Sequence, residues 1–499
     1  MADYDVVVVG AGNAGMTASA AMAKKGLKVL LLEKHNIPGG CGTSFCRGRF
    51  EFEVALHQLS GMGAPENPGP LRMMLGELGV IDDLEFVEIP ELFRVVMPGT
   101  IDVRLETDKA QVIAELQSHF PKEKEGIEKF FDLVFAFSTQ MLSVFYFNDP
   151  DATREKYPIL YEYGFKTCED VLDSFFSEPL LKAVVSVYWG YLGLPPNRLS
   201  FAYLAILYFS FIEFKAYHVK GGSQAMSNAI VNKFLSYGGE VRFNCGADKI
   251  EVGEGGVEAV LTEHGERITT RYVLSNASPV ATYLKLLEPE HVPKQVHREM
   301  RGRSLSMSGF AMYMGLDCEH GELGIQDSTS FVMSNTEIGD KAYDKMRQRH
   351  VEDDLMVLSC YNIADPDASP KGTSQLNLVT LKFGEPWLRL PPTEYFREKY
   401  RSADNMLRTL EKVYPGIRDR IEEVEVATPL THMRYLGHPA GSIYGFEQQV
   451  KDSLFFQPGG ESPIQGLYFA SGWSGDPGFQ PTLEAGKAAA KSILKELGA

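Results

Sequence analysis

The apolar positions at the start of the chain form a strand–helix–strand pattern. A valine-rich run at 5–9 is typical of a parallel strand that is buried on both faces. An alanine-rich segment at 18–23 predicts a helix of small side chains, and the apolar run at 27–32 predicts a second strand. Glycines separate the first strand from the helix, so the pattern predicts a βαβ unit.

The glycines of this unit have the spacing of a nucleotide site. Gly10 suits the tight turn after the first strand, Gly12 leaves room for a pyrophosphate, and Gly15 lets the helix pack closely on the strand. Glu33 follows the second strand, where a carboxylate accepts hydrogen bonds from an adenosine ribose. A purely structural βαβ unit is the alternative, but strand, loop, helix and acid in register favour a dinucleotide.

Periodicity and Gly/Pro punctuation predict the elements of the rest of the chain. Helices are predicted at 70–78, 224–237, 393–413 and 481–497. Strands are predicted at 49–56, 93–97, 101–105, 240–243, 249–252, 257–262, 267–270, 271–276, 304–316, 355–361 and 376–383. Because two compositional styles alternate, we expect a discontinuous cofactor domain (1–100, 215–300 and 415–499) and an inserted substrate domain (101–214 and 301–414).

The region from about 120 to 214 is helical and unusually apolar, with aromatic residues crowded at 130–147 and 188–211. Ordinary helix core is one interpretation, because aromatic stripes usually reflect packing. The other is an apolar chamber or a membrane-facing entrance, with the nearly uncharged residues 183–212 in a lipid interface. No stretch reaches the roughly 18 uncharged apolar residues that a membrane span needs.

Composition narrows the classes of function. The chain has 499 residues with 66 acidic and 49 basic side chains, and its formal net charge of -17 argues against binding the backbone of nucleic acid. Its six cysteines include no CxxC pair and no Cys/His cluster with metal spacing. We therefore expect reduced thiols, no metal and a cytoplasmic protein.

Five motifs, at the two ends of the chain and near 220–280, form one recognisable set. They are Gly10-x-Gly12-x-x-Gly15 with Glu33, Gly39-Gly40-x-x-x-Ser44, Lys220-Gly221-Gly222, Val273-Leu274-Ser275-Asn276-Ala277, and Gly466-Leu467-Tyr468 with Gly472. This set resembles the FAD-dependent amine-oxidase-fold enzymes, most of all the phytoene desaturase, carotenoid isomerase and retinol saturase branch. The resemblance implies an α/β fold: a Rossmann-type FAD-binding domain with an inserted mixed α+β substrate domain rich in apolar helices.

The resemblance also implies which residues contact FAD. They are Gly10, Gly12, Asn13, Ala14, Gly15, Glu33, Lys34, Gly40, Thr43, Ser44, Ala247, Asn276, Gly472, Trp473 and Thr482. The first glycine loop would face the pyrophosphate, the loop 40–44 the phosphates and flavin edge, and Ala247 the adenine. The stretch 472–482 would follow the ribityl chain, with the next helix pointing its N-terminus at the flavin. The sequence departs from the family at Trp473, where aspartate is usual, and at Cys41, where amine oxidases carry arginine.

Three residues are candidates for catalysis. His57 follows the strand predicted at 49–56, and an imidazole there is suited to carry a proton or orient the flavin, with a structural histidine as the alternative. His432 and Arg434 lie in a Thr-His-x-Arg-Tyr segment that the resemblance places near the active site; a surface or core role is the alternative.

The resemblance and the apolar inserts together predict an FAD-dependent oxidoreductase that desaturates, saturates or isomerises carbon–carbon double bonds of an apolar, polyene- or isoprenoid-like substrate. Two other functions stay open: an amine-oxidase-like flavoenzyme, and a non-catalytic chaperone that binds a lipid group on the same fold. The pyrophosphate loop with Glu33 argues against the chaperone. As partners we expect a small apolar substrate, no nucleic acid, and peripheral membrane contact through residues 183–212.

Overall fold

Two large sheets and a helical layer organise the protein. The computed structural model describes residues 2–147, 149–452 and 459–498. The strands are β1 (Tyr4–Val9), β2 (Val29–Leu32), β3 (Ser44–Arg47), β4 (Phe50–Glu53), β5 (Gly63–Ala64), β6 (Asn67–Pro68), β7 (Phe86–Ile89), β8 (Glu91–Met97), β9 (Ile101–Glu106), β10 (Ala216–Val219), β11 (Glu240–Arg242), β12 (Ala247–Gly253), β13 (Gly256–Thr262), β14 (Arg267–Ser275), β15 (Ser308–Leu316), β16 (Thr329–Val332), β17 (Met356–Cys360), β18 (Ser374–Lys382), β19 (Ile421–Ala427) and β20 (Leu467–Phe469). The α-helices are α1 (Asn13–Lys24), α2 (Pro70–Leu78), α3 (Lys109–His119), α4 (Lys124–Met141), α5 (Pro158–Tyr163), α6 (Cys168–Phe175), α7 (Pro179–Val185), α8 (Trp189–Leu192), α9 (Phe201–Glu213), α10 (Gly222–Ser236), α11 (Pro279–Ala281), α12 (Lys294–Arg301), α13 (Asp340–Met346), α14 (Glu385–Leu388), α15 (Tyr395–Glu411), α16 (Pro429–Leu436) and α17 (Phe479–Leu497).

The first sheet contains the N-terminal βαβ unit. Its strand order is β11-β2-β1-β14-β13-β12, and β20 also pairs with β14. The strands β11, β2, β1, β14 and β20 run parallel, whereas β13 and β12 are antiparallel to their neighbours. Val6, Val7 and Val8 are fully buried, as expected of a central parallel strand. The valine run therefore has the structure that its pattern predicts.

Strand β14 corrects one sequence prediction. The segments 267–270 and 271–276 were expected to be two strands, but they form one strand, Arg267–Ser275. Its first part pairs with β13, and its last part pairs in parallel with β20. The apparent break between the two segments therefore marks a change of neighbour along one strand.

The second sheet has the order β19-β15-β18-β17-β16-β8-β9. Its pairs are antiparallel except for β16 with β8. The boundaries predicted at 100 and 415 assign β8 and β19 to the cofactor domain, whereas the pairing joins both strands to the second sheet. That pairing depends on partners more than 100 residues away, which local patterning does not report.

The helices between Lys109 and Glu213 pack on this second sheet through aromatic side chains. Phe93 of β8 contacts Tyr188 at 4.7 Å and Phe331 at 5.3 Å between ring centroids. Ala183, Leu204 and Tyr208 are all at most 1% exposed. The expectation that residues 183–212 lie in a lipid interface is therefore wrong in its location, since this segment forms core. Among the described residues, no helix is both long and apolar enough to cross a membrane.

Candidate functional site

A cavity of about 540 Å³ opens at the C-terminal ends of the first parallel strands. Val9 and Leu32, the last residues of β1 and β2, line one side, and Ala311, Val357 and Val379 of the second sheet line another. We call this space the cofactor cavity. Its place agrees with the rule that ligands of α/β sheets bind beyond the carboxyl ends of the strands.

Two glycine loops form a wall of this cavity with almost no side chains. A Cβ on Gly12 would lie 2.5 Å from Asn276 Oδ1, and a Cβ on Gly40 would lie 3.2 Å from the Cα of Gly12. A Cβ on Gly42 would lie 2.9 Å from Asn13 Oδ1. The loops therefore approach each other backbone to backbone, which leaves room along this wall for a large polar ligand.

Two helices begin at the cofactor cavity. Residues Asn13 and Ala14 of α1 and Phe479 and Thr482 of α17 line it. Neither helix has a side-chain cap or an acidic residue in its first turn. Asn13 Nδ2 joins the two helix starts by donating to Thr482 Oγ1 at 3.2 Å. Their free N–H groups and partial positive charge are suited to an anion such as a pyrophosphate.

Glu33 and Asn276 shape the polar end of the cavity. The Glu33 carboxylate accepts hydrogen bonds from the N–H groups of Ala11 at 2.6 Å and His35 at 2.8 Å. Asn276 accepts from the Gly12 N–H at 3.0 Å and donates to the Ala470 carbonyl at 2.7 Å. A carboxylate has about four acceptor sites, so Glu33 keeps capacity for a ribose.

The cavity lining contains most of the predicted cofactor residues: Gly10, Gly12, Asn13, Ala14, Glu33, Lys34, Gly40, Ala247, Asn276, Gly472, Trp473 and Thr482. Three predicted residues are not part of that described lining. A Cβ on Gly15 would lie 2.0 Å from the Gly10 carbonyl oxygen, so Gly15 serves the packing of α1 on β1. Thr43 Oγ1 and the Ser44 N–H both donate to Gln224 Oε1, at 2.7 and 3.3 Å. The Thr43 side chain therefore turns towards α10, whereas the Ser44 hydroxyl donates to Glu51 of β4.

The chain matches one protein family over nearly its whole length. The model described as "Flavin containing amine oxidoreductase" matches residues 13–494. The chain belongs to this family. A prolycopene isomerase of an Oncidium hybrid cultivar is 26% identical, over 93% of this chain and 79% of its own length. An all-trans-retinol 13,14-reductase of Danio rerio is 25% identical over 93% and 82%, and a lycopene-forming phytoene desaturase of Pantoea ananas is 23% identical over 98% and 99%.

Two solved structures have the same architecture, and each aligns with this chain over almost the full length of both proteins. Putrescine oxidase bound to putrescine has a TM-score of 0.68 at 15% identity, over 99% of each chain. An oxidoreductase of Methanosarcina mazei has a TM-score of 0.65 at 15% identity, over 99% of this chain and 100% of its own. At such low identity these structures establish the fold, which is the expected α/β flavoprotein fold.

As a member of this family the protein uses FAD, and the cavity fits that cofactor. The side-chain-free wall at Gly12 and Gly40 and the start of α1 would hold the pyrophosphate, and Glu33 would hold the ribose. The start of α17 would stabilise negative charge on the flavin. Bound FAD supplies hydride transfer, while the protein supplies placement and exclusion of water.

His57 lies where the cofactor cavity meets a second cavity. It lines both spaces, and its ring stacks on Tyr191 at 5.6 Å and 7° between ring planes. Ser359 Oγ is 2.8 Å from His57 Nδ1. Burial lowers the pKa of His57 to about 4, so the ring is neutral at pH 7.

The other two catalytic candidates separate in the structure. His432 lines the cofactor cavity, and among the described residues its Nε2 has no hydrogen-bond partner. Arg434 is absent from that described lining, and its guanidinium lies 5.8 Å from the ring centroid of Tyr435, which does line the cavity. The structure therefore brings His432 to the lining of the cofactor cavity, while Arg434 is exposed and lies over the ring of Tyr435.

Several cavity residues escaped the sequence analysis. Tyr191, Tyr313 and Tyr444 line the cofactor cavity, and so does Cys41, which the sequence marked only as a departure from the amine oxidases. Burial raises the pKa of the Cys41 thiol to about 11, so it is not a thiolate at neutral pH. A tyrosine in an apolar segment has the same local pattern as core, so no sequence signal separated these residues.

The buried histidines make stability depend on pH. Burial lowers the pKa of His57, His432 and His438 from 6.5 to about 4. Between these two values the unfolded chain binds protons that the folded protein does not, so stability falls as pH falls. We expect each histidine to contribute a slope of up to about 1.4 kcal/mol per pH unit in urea unfolding.

The variant His438→Asn should reduce this slope by up to about 1.4 kcal/mol per pH unit. The matched control is His264→Asn, whose side chain is 64% exposed and whose loss should leave the slope unchanged. An unchanged slope in His438→Asn would contradict the expectation.

Proposed function

We propose that this flavoenzyme desaturates, saturates or isomerises carbon–carbon double bonds of an apolar, polyene- or isoprenoid-like substrate. The observation that carries the proposal is an apolar chamber of about 440 Å³ joined to the cofactor cavity. Residues His57, Tyr191 and Tyr444 line both spaces. A substrate in this chamber would therefore meet the cofactor at these three side chains.

The chamber has the lining that a long hydrocarbon requires. Tyr203, Leu207 and Ser210, spaced three or four residues apart, present one face of α9 to it. Phe145 and Tyr146, from a π-helical turn that follows α4, line another side. The lining also includes the carboxylates Asp476 and Glu484, which accept hydrogen bonds from Tyr203 OH and Gln480 Nε2. The rest of the surface is largely apolar, and such pockets bind hydrophobic ligands chiefly through burial of apolar surface.

The groups at the junction are uncharged at neutral pH. Burial lowers the pKa of His57 to about 4 and raises the pKa values of Tyr191 and Tyr444 above their usual range. A neutral junction favours a hydrocarbon over a protonated amine, because burying an unpaired ammonium group is costly. The relatives support the same class, since their names specify prolycopene isomerase, all-trans-retinol 13,14-reductase and phytoene desaturase.

Turnover of defined polyenes tests the proposal. FAD-reconstituted protein is incubated with cis- and all-trans-polyenes, with oxidised flavin and an acceptor or with reduced flavin. Mass spectrometry then distinguishes a lost or gained pair of hydrogens from isomerisation at constant mass. Peroxide formation from amines, without any polyene product, would instead support the amine-oxidase function. Purified protein that retains no flavin would support the lipid-binding chaperone, whose fold a Plasmodium falciparum RAB GDI shares at a TM-score of 0.55.

We also propose that the cytoplasmic protein touches a membrane at the mouth of the chamber. Phe145, Tyr146 and Phe147 are 43%, 40% and 72% exposed, and the first two also line the chamber. Exposed aromatic side chains beside an apolar opening are suited to the headgroup region of a bilayer. This site replaces the buried segment 183–212 as the expected membrane contact.

Liposome sedimentation tests this contact. Phe147→Glu should reduce the liposome-bound fraction about tenfold, since burial of a phenylalanine contributes roughly 1.5–3 kcal/mol. Phe396→Glu is the matched control, because Phe396 is 65% exposed elsewhere, on α15. Equal binding of both variants would contradict a contact at the chamber mouth.

A further inference from the structure

Glu53, the last residue of β4, is a buried carboxylate that accepts four hydrogen bonds. It is 5% exposed. Ser223 donates to it from both its N–H and its hydroxyl, each at 2.7 Å. The N–H groups of Ala55 and Leu56 donate at 3.2 and 3.1 Å. Burial of a carboxylate is costly and raises the pKa of Glu53, and the four donors offset part of that cost, so their geometry around Glu53 is closely constrained.

The last glycine of the Lys220-Gly221-Gly222 motif lies against this carboxylate. Gly221 and Gly222 have φ values of +77° and +71°, and α10 starts there. A Cβ on Gly222 would lie 2.7 Å from Glu53 Oε2. Glu53 therefore occupies the N-terminus of α10, where its negative charge is favoured. Gly222 therefore leaves room for Glu53 at this helix, whereas the Gly221 N–H donates to Asp365 at 3.1 Å and Lys220 forms an ion pair with Glu85.

The same carboxylate organises the segment that leads to His57. The Glu53 N–H donates to Gln375 Oε1 at 2.7 Å, and Tyr313 OH donates to the Val54 carbonyl at 3.2 Å. The N–H groups of Ala55 and Leu56, the next two residues, donate to the Glu53 carboxylate. His57 directly follows this turn, and Ser359 Oγ lies 2.8 Å from its Nδ1. The turn therefore restrains the backbone of His57, and Ser359 restrains its ring.

We propose that Glu53 is a positioning residue that holds the turn before His57 and thereby fixes the imidazole at the junction of the cofactor cavity and the apolar chamber. Its importance for turnover rests on the proposed function, in which His57 faces the substrate. The effect of Glu53 on the orientation of His57 does not depend on the proposed function. The two are therefore measured separately.

The test uses full-length, FAD-reconstituted Glu53→Gln, with the imidazole nitrogens labelled and His57→Gln to assign the His57 signals. Glutamine is nearly isosteric but brings an NH₂ group towards donors that need an acceptor, so it opens the turn. We expect one ring-nitrogen pattern in the original protein and a changed or averaged pattern in Glu53→Gln. Glu51→Gln, on the same strand but exposed, should leave the pattern unchanged.

Turnover is the second readout. In Glu53→Gln we expect kcat to fall on the order of ten- to a hundredfold while bound flavin and KM change little, because a displacement of about 1 Å near the reacting atoms has this effect. In a His57→Ala background the same substitution should have little further effect on kcat, since two residues that act through one group are not additive.

The outcomes are separable. Unchanged His57 nitrogen signals in Glu53→Gln would overturn the proposal at any level of activity. Changed signals with full polyene turnover would support the positioning and contradict a role of His57 in the proposed function. If Glu53→Gln does not fold, Ser223→Ala removes only one of the four donors, and the His57 signals should then shift in the same direction by a smaller amount.

Discussion

Replacement of Gly15 by alanine should remove most of the flavin from this protein. The added Cβ would lie 2.0 Å from the Gly10 carbonyl oxygen, a backbone atom that cannot rotate away. Helix α1 cannot retreat freely, because a Cβ on Gly486 of α17 would already lie 2.2 Å from the Ala14 carbonyl oxygen. Such overpacking costs about 1–3 kcal/mol, so we expect FAD affinity to fall roughly five- to a hundredfold.

Flavin absorbance per protein after gel filtration, and titration of the apoprotein with FAD, measure this loss. The control is Gly76→Ala in α2, where the new Cβ would meet only an Ile81 methyl group at 3.9 Å. That variant should bind FAD normally and gain about 0.4–1 kcal/mol of stability. Normal flavin content in Gly15→Ala would contradict the close packing of α1 on β1.

Replacement of His57 by alanine should lower kcat about a hundredfold while the protein keeps its flavin. The neutral ring contacts Ser359 through Nδ1 and lies at the junction of the cofactor cavity and the apolar chamber. Its loss leaves a gap beside Tyr191 and admits water, so the substrate loses a contact that fixes its position at the cofactor.

The pH dependence of kcat distinguishes a neutral His57 from a histidine that titrates near pH 6.5. Because the pKa of His57 is about 4, its ring stays neutral above about pH 5, and kcat should show no inflection near 6.5. Steady-state rates of His57→Ala and of the exposed control His264→Ala provide the comparison. Equal kcat values in the two variants would contradict a role of His57 in turnover.

Elements with strong local signals were predicted well from the sequence. The helix predicted at 70–78 has those bounds in α2, because Pro70 stands at its first position and Gly79 ends it with a φ of +80°. The strand of residues 5–9 was expected from its valines and forms the centre of the first sheet. These features are local, since a few neighbouring residues specify them.

Predictions that required distant partners were less complete. Strand β14 was divided in two because its neighbours change from β13 to β20 along its length. Residues 183–212 are as apolar as a membrane-contacting segment, and apolarity alone does not state which surface covers them. The three-dimensional packing of α7–α9 on the second sheet is what places them in the core.

The sequence by itself determined the α/β class, the anchor of the cofactor and twelve of the residues that line its cavity, because glycine spacing and strand ends act within one βαβ unit. Only the tertiary structure decided where side chains point. Thr43 turns to Gln224 and Arg434 is exposed beside Tyr435, while His57 reaches the junction through contacts with Ser359 and Tyr191. The physical reason is that a side chain's direction follows from strands and helices hundreds of residues away, which local periodicity does not encode.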